Sequence, residues 1–322
     1  MTPPTLEDRP RVADSPAPSA PGVRLLEPAM VRLQRRLVLA VTIGPFLGFV
    51  LAVWSLWGTG LTVVDASLFL FFYVFTGLGI TVGFHRYLTH GGFETKPWVR
   101  AAFAIAGSMA IQGSVIAWVS DHRRHHAFSD RPGDPHSPHL DEGPGIRGVL
   151  KGLWHAHMGW LFKEELTSPQ RWAPDLYKDP TMRWIDKYFP VWAVLSFLLP
   201  PAAGFALTGT GRGALTAFLW ASLARIFLLH HVTWSINSIC HFYGKRPYET
   251  PDYSTNNWML SLISFGESWH NNHHAFPTSA VHGIGRGQVD PSGGVIRLLQ
   301  KLRLVRDVKV VTPKQLAAKR VQ

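Results

Sequence analysis

The sequence contains a single cysteine, Cys240, and few charged residues. One cysteine excludes a disulfide scaffold and any zinc or iron–sulfur site built from several cysteines. Charged residues make up 16% of the 322 residues, against roughly 25% in an ordinary soluble protein. Because 46% of the residues are hydrophobic, a disordered or nucleic-acid-coating chain is excluded as well. Any metal chemistry must use another residue type, and the sequence holds 16 histidines.

The formal net charge is +11, but the basic residues are scattered between long apolar stretches. This pattern indicates membrane lipid, and no nucleic acid, as the polyanionic partner. Residues 1–28 are rich in Pro, Ser and Ala and lack apolar periodicity, so they are predicted to form a disordered N-terminal tail without a signal peptide. The remaining residues, 29–322, are predicted to form one membrane domain.

Four stretches are apolar and close to the length of about 20 residues that spans a bilayer. They cover about residues 37–57, 66–84, 189–207 and 214–237. Lys and Arg are abundant before the first stretch, between the second and third, and after the fourth, which predicts that both termini are cytosolic. The expected fold is therefore all-α: four transmembrane helices and a cytosolic helical cap formed by residues 85–188 and 238–322. The expected location is the cell membrane of a bacterium.

A fifth stretch, residues 97–119, is moderately apolar but contains Arg100 and Gln112. It lies between two histidine clusters that must meet if they serve one site, and a single crossing would separate them. We therefore expect this stretch to lie against the membrane surface or within the cap.

Histidine clusters mark the predicted cytosolic ends of these segments. The members of the clusters are His85 and His90; His122, His125 and His126; and His270, His273 and His274. In the last two clusters the spacing i, i+3, i+4 puts three imidazoles on one helical face. In the first, an ideal α-helix turns the two rings about 140° apart, which is typical of a helix end. Asn237 and His241 form a fourth element, at i, i+4, where the last apolar stretch ends.

Nine imidazoles exceed the four to six ligands that one ion accepts, so we expect two metal ions. Structural zinc normally takes four ligands, often including Cys, and copper electron-transfer sites require a Cys that is not placed here. Two non-haem irons are the best match. Zinc is expected as a substitute in purified protein, because Zn²⁺ binds nitrogen ligands more tightly than Fe²⁺. The other seven histidines are expected in supporting or surface positions; they are His136, His139, His155, His157, His230, His231 and His282.

The boxes HxxxxH, HxxHH and HxxHH, in this order, resemble those of the membrane-bound fatty acyl desaturases of the stearoyl-CoA (delta-9 acyl-CoA) type. The surrounding sequence is similar as well, in Asp134-Pro-His136, Gly159-Trp160, Asn237-Ser-Ile-Cys-His241 and Gly266-Glu-Ser-Trp-His270. The resemblance covers about residues 37–277. The tail after Pro277 is more similar to bacterial, actinobacterial members than to animal ones.

The resemblance implies a diiron centre held by the nine clustered histidines, with Asn237 contacting one iron through water. It also implies a bent acyl tunnel whose bend is formed by Gln112, Trp118, Thr233 and Trp234. The implied reaction uses O₂ and inserts a cis double bond, at the delta-9 position, into a saturated acyl chain carried by CoA. The electrons are expected from an external donor of the ferredoxin or flavin-reductase type that draws on NAD(P)H, because no segment of the sequence indicates a flavin, haem or iron–sulfur module.

Phe69, Tyr73 and Thr76 recur at i, i+4, i+7 in the second apolar stretch. We expect this face to close the acyl tunnel and limit chain length. The alternative is that the stripe packs against neighbouring helices.

The sequence departs from the animal pattern where those enzymes meet the nucleotide part of CoA. Residues 161–165 replace an Arg-Lys pair, and Ser120 stands where the animal enzymes have Arg. The carrier therefore stays open between CoA, acyl-carrier protein and a lipid.

Two other functions compete with desaturation. An alkane or fatty-acid hydroxylase of the same histidine-box superfamily would insert oxygen, and a metal transporter or b-type haem protein would also use paired membrane histidines. The element Asn237-Ser-x-x-His241 favours a desaturase, and the predicted cytosolic position of the clusters argues against a transporter or haem protein.

Overall fold

Four helices of the computed structural model are long and apolar enough to cross a membrane, as the sequence predicts. They are Pro28–Leu56, Val63–Thr89, Phe189–Thr208 and Gly211–His241. The structure describes residues 20–140 and 143–321. Many large apolar side chains on these helices are exposed, as they are on surfaces that face lipid. The four apolar helices and their exposed apolar side chains indicate a membrane protein.

The α-helices in chain order are α1 Pro28–Thr59, α2 Val63–Leu78, α3 Pro97–Ser108, α4 Val115–Phe128, α5 Gly145–His157, α6 Pro169–Trp172, α7 Pro174–Lys178, α8 Pro180–Lys187, α9 Phe189–Thr208, α10 Gly211–Ala217, α11 Arg225–Ser238, α12 His270–Ala275, α13 Pro291–Lys301 and α14 Pro313–Lys319. Helix α2 continues as a π-helix over Gly79–Thr89, and α10 and α11 are joined by a second π-helical segment, Phe218–Ala224. Short 3₁₀ turns follow at Gly159–Phe162 and Ile239–His241.

Two small antiparallel sheets tie distant parts of the chain together. Strand β1, Val23–Leu25, pairs with β3, Glu165–Thr167, and β2, Glu94–Thr95, pairs with β4, Val305–Arg306. Strand β1 lies within the stretch for which a disordered tail is predicted. Residues 1–19 of that tail lie outside the described residues.

The apolar stretch 97–119 is two helices and not one. Between α3 and α4 the chain turns at Ile111 and Gly113, whose φ angles are 58° and 108°. The turn carbonyls are bound by residues of the membrane helices: Arg225 donates to Met109 O at 3.4 Å, and the ring Nε2 of His230 lies 2.9 Å from Ala110 O. This hairpin returns α4, with its three clustered histidines, to the end of α2.

Gly79 allows α3 to pack directly against the start of the π-helix. A Cβ built on Gly79 would lie 2.2 Å from the backbone N of Gly107, which no side chain tolerates. Gly79 and Gly83 form a small-xxx-small pair, a spacing that is typical of close helix packing in membranes. It fixes the π-helix, and therefore the first histidine cluster, against the helical hairpin.

Candidate metal centre

The π-helix changes the geometry of the first histidine cluster. The N–H of His90 donates to the carbonyl oxygen of His85 at 3.2 Å, which is the i→i+5 hydrogen bond of a π-helix. With more residues per turn, positions five apart lie on nearly the same face, and the two ring centroids are 4.9 Å apart. The angle of about 140° expected for an ideal α-helix is therefore wrong for this segment.

The nine clustered histidines converge in two groups. Within each group, one ligand nitrogen from every ring lies within 4.8 Å of all the others. The first group consists of His85, His90, His122, His126 and His273, and the second of His125, His241, His270 and His274. Each group draws on at least three separate segments of the chain, so the site exists only in the folded protein.

The spacing of the nitrogens suits metal coordination. In the first group, Nε2 of His273 lies 3.0 Å from Nε2 of His85 and 2.9 Å from Nε2 of His126. In the second, Nε2 of His270 lies 3.0 Å from Nε2 of His241 and 3.1 Å from Nε2 of His274. Two nitrogens that are each about 2.1 Å from one ion, at right angles, lie about 3.0 Å apart. The donor set therefore fits two metal ions, one per group.

Four buried carboxylates orient the histidines from outside. Nδ1 of His125 donates to Asp134 at 2.9 Å, Nδ1 of His241 to Asp130 at 2.8 Å, and Nδ1 of His274 to Asp252 at 2.7 Å. Nδ1 of His85 donates in the same way to Glu267, which also accepts from Arg86 at 3.0 Å. A hydrogen bond at Nδ1 leaves Nε2 free to bind a metal and fixes the ring orientation.

The carboxylates were not predicted, because the histidine spacing gives no information on partners from other segments. Asp134 and Glu267 stand beside the second and third boxes in the sequence. An acidic residue near each of these two boxes was the available signal.

The electrostatics of the centre favour neutral imidazoles, which is the metal-binding form. Burial lowers the pKa of His90, His122 and His126 well below the ordinary value, and the neighbouring histidines lower it further. Burial also lowers the pKa of His274 to about 4, against the opposing effect of Asp252. Burial alone would raise the pKa of Asp130, but the facing His241 lowers it to about 2. Asp130 is therefore ionised, and the rings of His90, His122, His126 and His274 are neutral, near pH 7.

Several buried ring nitrogens have no hydrogen-bond partner among the described residues. Among the nine clustered histidines they are Nε2 of His90, Nδ1 of His270 and Nδ1 of His273, and outside them Nδ1 of His136 and both ring nitrogens of His282. An unpaired buried polar atom is costly, and for His90 a metal ion would remove this cost.

A cavity extends from the two groups toward the membrane helices. It is lined by His85 and His122 of the first group, by His270 of the second, and by Asn237. The remaining walls are mostly apolar and come from the second and fourth membrane helices, α4 and the chain after Ser261; they include Ile80, Leu229, Val232, Ile236, Ile263 and Phe265. The cavity therefore contacts rings of both histidine groups.

Two of the four residues predicted for the bend of the acyl tunnel line the cavity, and the other two do not. Trp118 and Thr233 line the cavity, and Gln112 donates to Oγ1 of Thr233 at 2.9 Å. Trp234 is buried and its ring faces His230, 5.1 Å away. Their contact with substrate stays a prediction.

Phe69 and Tyr73 do not line the cavity. They lie on α2, before the residues of the second membrane helix that do. Their rings are stacked 5.9 Å apart, and the ring of Tyr73 lies 5.5 Å from that of Phe265, which does line the cavity. The role of this stripe as a tunnel floor stays a prediction.

Two histidines outside the boxes lie against the centre. The ring of His282 is 4.5 Å from that of His273, and the ring of His136 is 4.4 Å from that of His125. Both are buried and act as packing partners of metal-site rings. Their positions agree with the expected supporting role.

Comparison with known proteins identifies related sequences. The profile of the family described as "Fatty acid desaturase" matches residues 62–286, which include all nine histidines and Asn237.

Three relatives differ in the acyl carrier named for them. A hex-5-enoyl-[acyl-carrier protein] acetylenase of Moorena producens (strain JHB) is 40% identical over 90% of this chain and 90% of its own length. An sn-1 stearoyl-lipid 9-desaturase of Anabaena variabilis is 37% identical over 76% of this chain and 84% of its own. An icosanoyl-CoA 5-desaturase of Limnanthes douglasii is 40% identical over 74% of this chain and 63% of its own.

Proposed function

The chain belongs to the fatty acid desaturase family, and we propose that it inserts a cis double bond into a saturated fatty acyl chain at a two-iron centre. The observation that carries the proposal is the position of the nine histidines, in two groups at the end of an apolar cavity. We further propose the delta-9 position for the double bond, as the resemblance to stearoyl-CoA desaturases implies.

The overall reaction takes two hydrogens from adjacent methylenes. One O₂, two electrons and two protons are consumed, and two waters are released with the alkene. The electrons come from an external donor of the ferredoxin or flavin-reductase type. When bound, the metal ions supply the activation of O₂ and the cleavage of C–H bonds, for which protein side chains are too weak.

The residues of the protein position the acyl chain and the metal-binding rings. The apolar cavity wall holds the acyl chain beside the histidine groups and excludes water, which fixes the methylenes that react. Trp118 and Thr233 form part of this wall. Asp130, Asp134, Asp252 and Glu267 hold four of the rings in the tautomer that presents Nε2.

The acyl carrier is less well supported than the chemistry. CoA is the carrier that the resemblance to stearoyl-CoA desaturases implies, whereas the relatives' names include acyl-carrier protein, lipid and CoA. We propose that the termini lie in the cytosol of a bacterial cell, on the same side as the metal centre.

The test is turnover by purified protein loaded with iron, with a saturated acyl substrate, a reductant and O₂. The protein should contain close to two irons per chain, show no Soret band, and form a monounsaturated product. His125→Ala should lose iron and product together. His155→Ala is the matched control, because His155 lies outside both groups, and it should retain both. An iron-loaded protein that forms no alkene would refute the proposal.

A further inference from the structure

One loop between the fourth membrane helix and the third histidine cluster lies beside the metal centre, since its last residue, Glu267, accepts from His85. Its ends are tied together: the N–H of Asn257 donates to Ser268 O at 2.8 Å, and the hydroxyl of Ser268 donates to Asn257 O at 2.7 Å. The residues between them, 258–267, form a compact loop. We name this segment the 258–267 loop.

The loop lies beside the apolar part of α2. The hydroxyl of Tyr73 donates to the carbonyl oxygen of Ile263 at 2.7 Å. Tyr73 precedes His85 by twelve positions, a distance on the order of 15 Å along the helix, and lies near the middle of the candidate span Val63–Thr89. This part of the predicted cytosolic cap therefore reaches the depth of the membrane.

The two sides of the loop face different surroundings. Trp258, Met259 and Leu262 are 73%, 67% and 67% exposed, which suits contact with lipid and not with water. On the other side, Ile263 and Phe265 line the cavity that ends at the histidines. The loop is thus a wall between the substrate cavity and the bilayer.

The backbone of the loop is largely satisfied from within. Ser264 N donates to Leu260 O at 2.9 Å, and Gly266 N donates to Ser261 O at 2.8 Å. Non-helical backbone at membrane depth must have its polar groups satisfied within the protein, and these bonds do so for the N–H groups of Ser264 and Gly266. Movement of Ile263 away from α2 would break the Tyr73 hydrogen bond. The end of the loop is held more firmly, because Phe265 O accepts from Ser292 N at 3.2 Å and Glu267 accepts from Arg86 at 3.0 Å.

The base of the loop is strained. Phe265 has a φ of 56° and Gly266 one of 93°, and a bulky residue with positive φ is rare in folded proteins. The ring of Phe265 packs onto α2, since a Cβ built on Gly77 would lie 2.3 Å from its Cε2. This contact closes the wall.

The surface expected to meet the nucleotide of CoA carries acidic residues. Glu164 pairs with Arg35 at 2.7 Å, and Glu165 pairs with Arg124 at 2.9 Å. Arginines that are paired with carboxylates are poor ligands for the phosphates of a nucleotide. The charges therefore favour a substrate whose head group is not CoA.

We propose that the 258–267 loop is a lateral gate through which the acyl chain of a membrane lipid enters the cavity directly from the bilayer. The inference rests on the proposed desaturase function and names its substrate class: lipid-linked acyl chains. A chain that enters this way never crosses water, and its head group stays at the membrane surface near the metal centre.

The test is a reversible cross-link that holds the loop against α2. The double variant Gly77→Cys, Phe265→Cys is treated with a short bifunctional methanethiosulfonate, which spans the two positions because the Phe265 ring touches the place of a Gly77 side chain. The native Cys240 is buried. The single variant Phe265→Cys, treated with the same reagent, is the matched control.

Iron-loaded protein is assayed before and after cross-linking with two substrates: vesicles of stearoyl-containing phosphatidylglycerol and phosphatidylcholine, and soluble stearoyl-CoA. We expect cross-linking to lower lipid desaturation at least tenfold, with recovery when the link is reduced. Stearoyl-CoA turnover is compared between the linked and the reduced form of the same double variant, and the ratio of lipid turnover to CoA turnover should fall at least tenfold on linking. Full lipid turnover by the cross-linked protein, or an equal loss with both substrates, would overturn the gate. Product from neither substrate with unlinked protein at full iron content would refute the proposed function instead.

A second measurement does not depend on turnover. Nitroxide labels at Met259→Cys and Leu262→Cys, in protein reconstituted into the same vesicles, should be more accessible to O₂ than to a water-soluble nickel chelate. A label at Lys314→Cys, on α14, is the control and should show the opposite order. Greater accessibility of the loop labels to nickel would overturn the proposal.

Discussion

Nδ1 of His241 donates a hydrogen bond of 2.8 Å to Oδ2 of Asp130, and both side chains are buried. The same carboxylate accepts from the N–H of Tyr253 at 2.8 Å, and its other oxygen accepts from the hydroxyl of Ser137 at 2.7 Å. These two hydrogen bonds hold the carboxylate of Asp130 in place, and the carboxylate in turn holds the ring of His241 in one orientation. Through this one contact, the loop after α4 sets the orientation of a ring at the end of the fourth membrane helix.

The carboxylate partners should be needed for metal binding. Asp130→Asn keeps the size of the side chain but removes the charge that orients His241, and we expect metal affinity to fall roughly 10- to 100-fold. Iron content after dialysis against graded chelator measures it. Asp307→Asn is the control, because this carboxylate is exposed, pairs with Arg306 and belongs to neither histidine group. Unchanged iron retention by Asp130→Asn would show that the carboxylate is not a positioning group.

The packing of α3 against the π-helix predicts a position that is sensitive to volume. Gly79→Leu forces a side chain into the backbone at Gly107, and overpacking of this kind costs about 1–3 kcal/mol or more. We expect a lower unfolding temperature in detergent and a loss of iron, because His85 and His90 follow on the same helix. Gly44→Leu is the matched control, since no atom lies within 4 Å of a Cβ at Gly44. Equal stability of the two variants would contradict this packing.

The hairpin of α3 and α4 predicts that its two ends lie on the same side of the membrane. Reporter fusions after Gly92 and after Arg131 should both report the cytosol, because the chain enters and leaves the hairpin on one side. Fusions placed at opposite faces of the membrane would remove the four-span arrangement and the shared metal site together.

The aromatic stripe on α2 predicts the chain-length preference. Phe69→Ala and Tyr73→Ala, made singly, should shift preference toward longer acyl chains if these rings close the tunnel. Each added methylene is worth about 0.8 kcal/mol of burial where it fits. The assay uses saturated substrates of increasing length. A uniform loss of activity at every length would mean that the two rings only pack the helices.

The sequence was sufficient to predict the four apolar helices and to select the nine histidines that the structure brings together. It was not sufficient for the first cluster. The i, i+5 spacing of His85 and His90 separates the two rings on an α-helix but brings them together on a π-helix. The π-helix begins at Gly79, where α3 packs closely at Gly107, and the histidine spacing alone does not reveal this change of geometry. The apolar sequence of the 258–267 loop does not reveal its depth either, because depth follows from its contact with Tyr73.

The most direct test of the central claim is the fate of labelled hydrogens in a desaturase-deficient host that expresses this protein. The host is fed stearate with two deuterium atoms on each of carbons 9 and 10, and its fatty acids are analysed by mass spectrometry. The account predicts a cis monoene that has lost one deuterium from each of these carbons and has gained no oxygen. A product that carries a new hydroxyl group, or fatty acids that remain fully saturated, would contradict it.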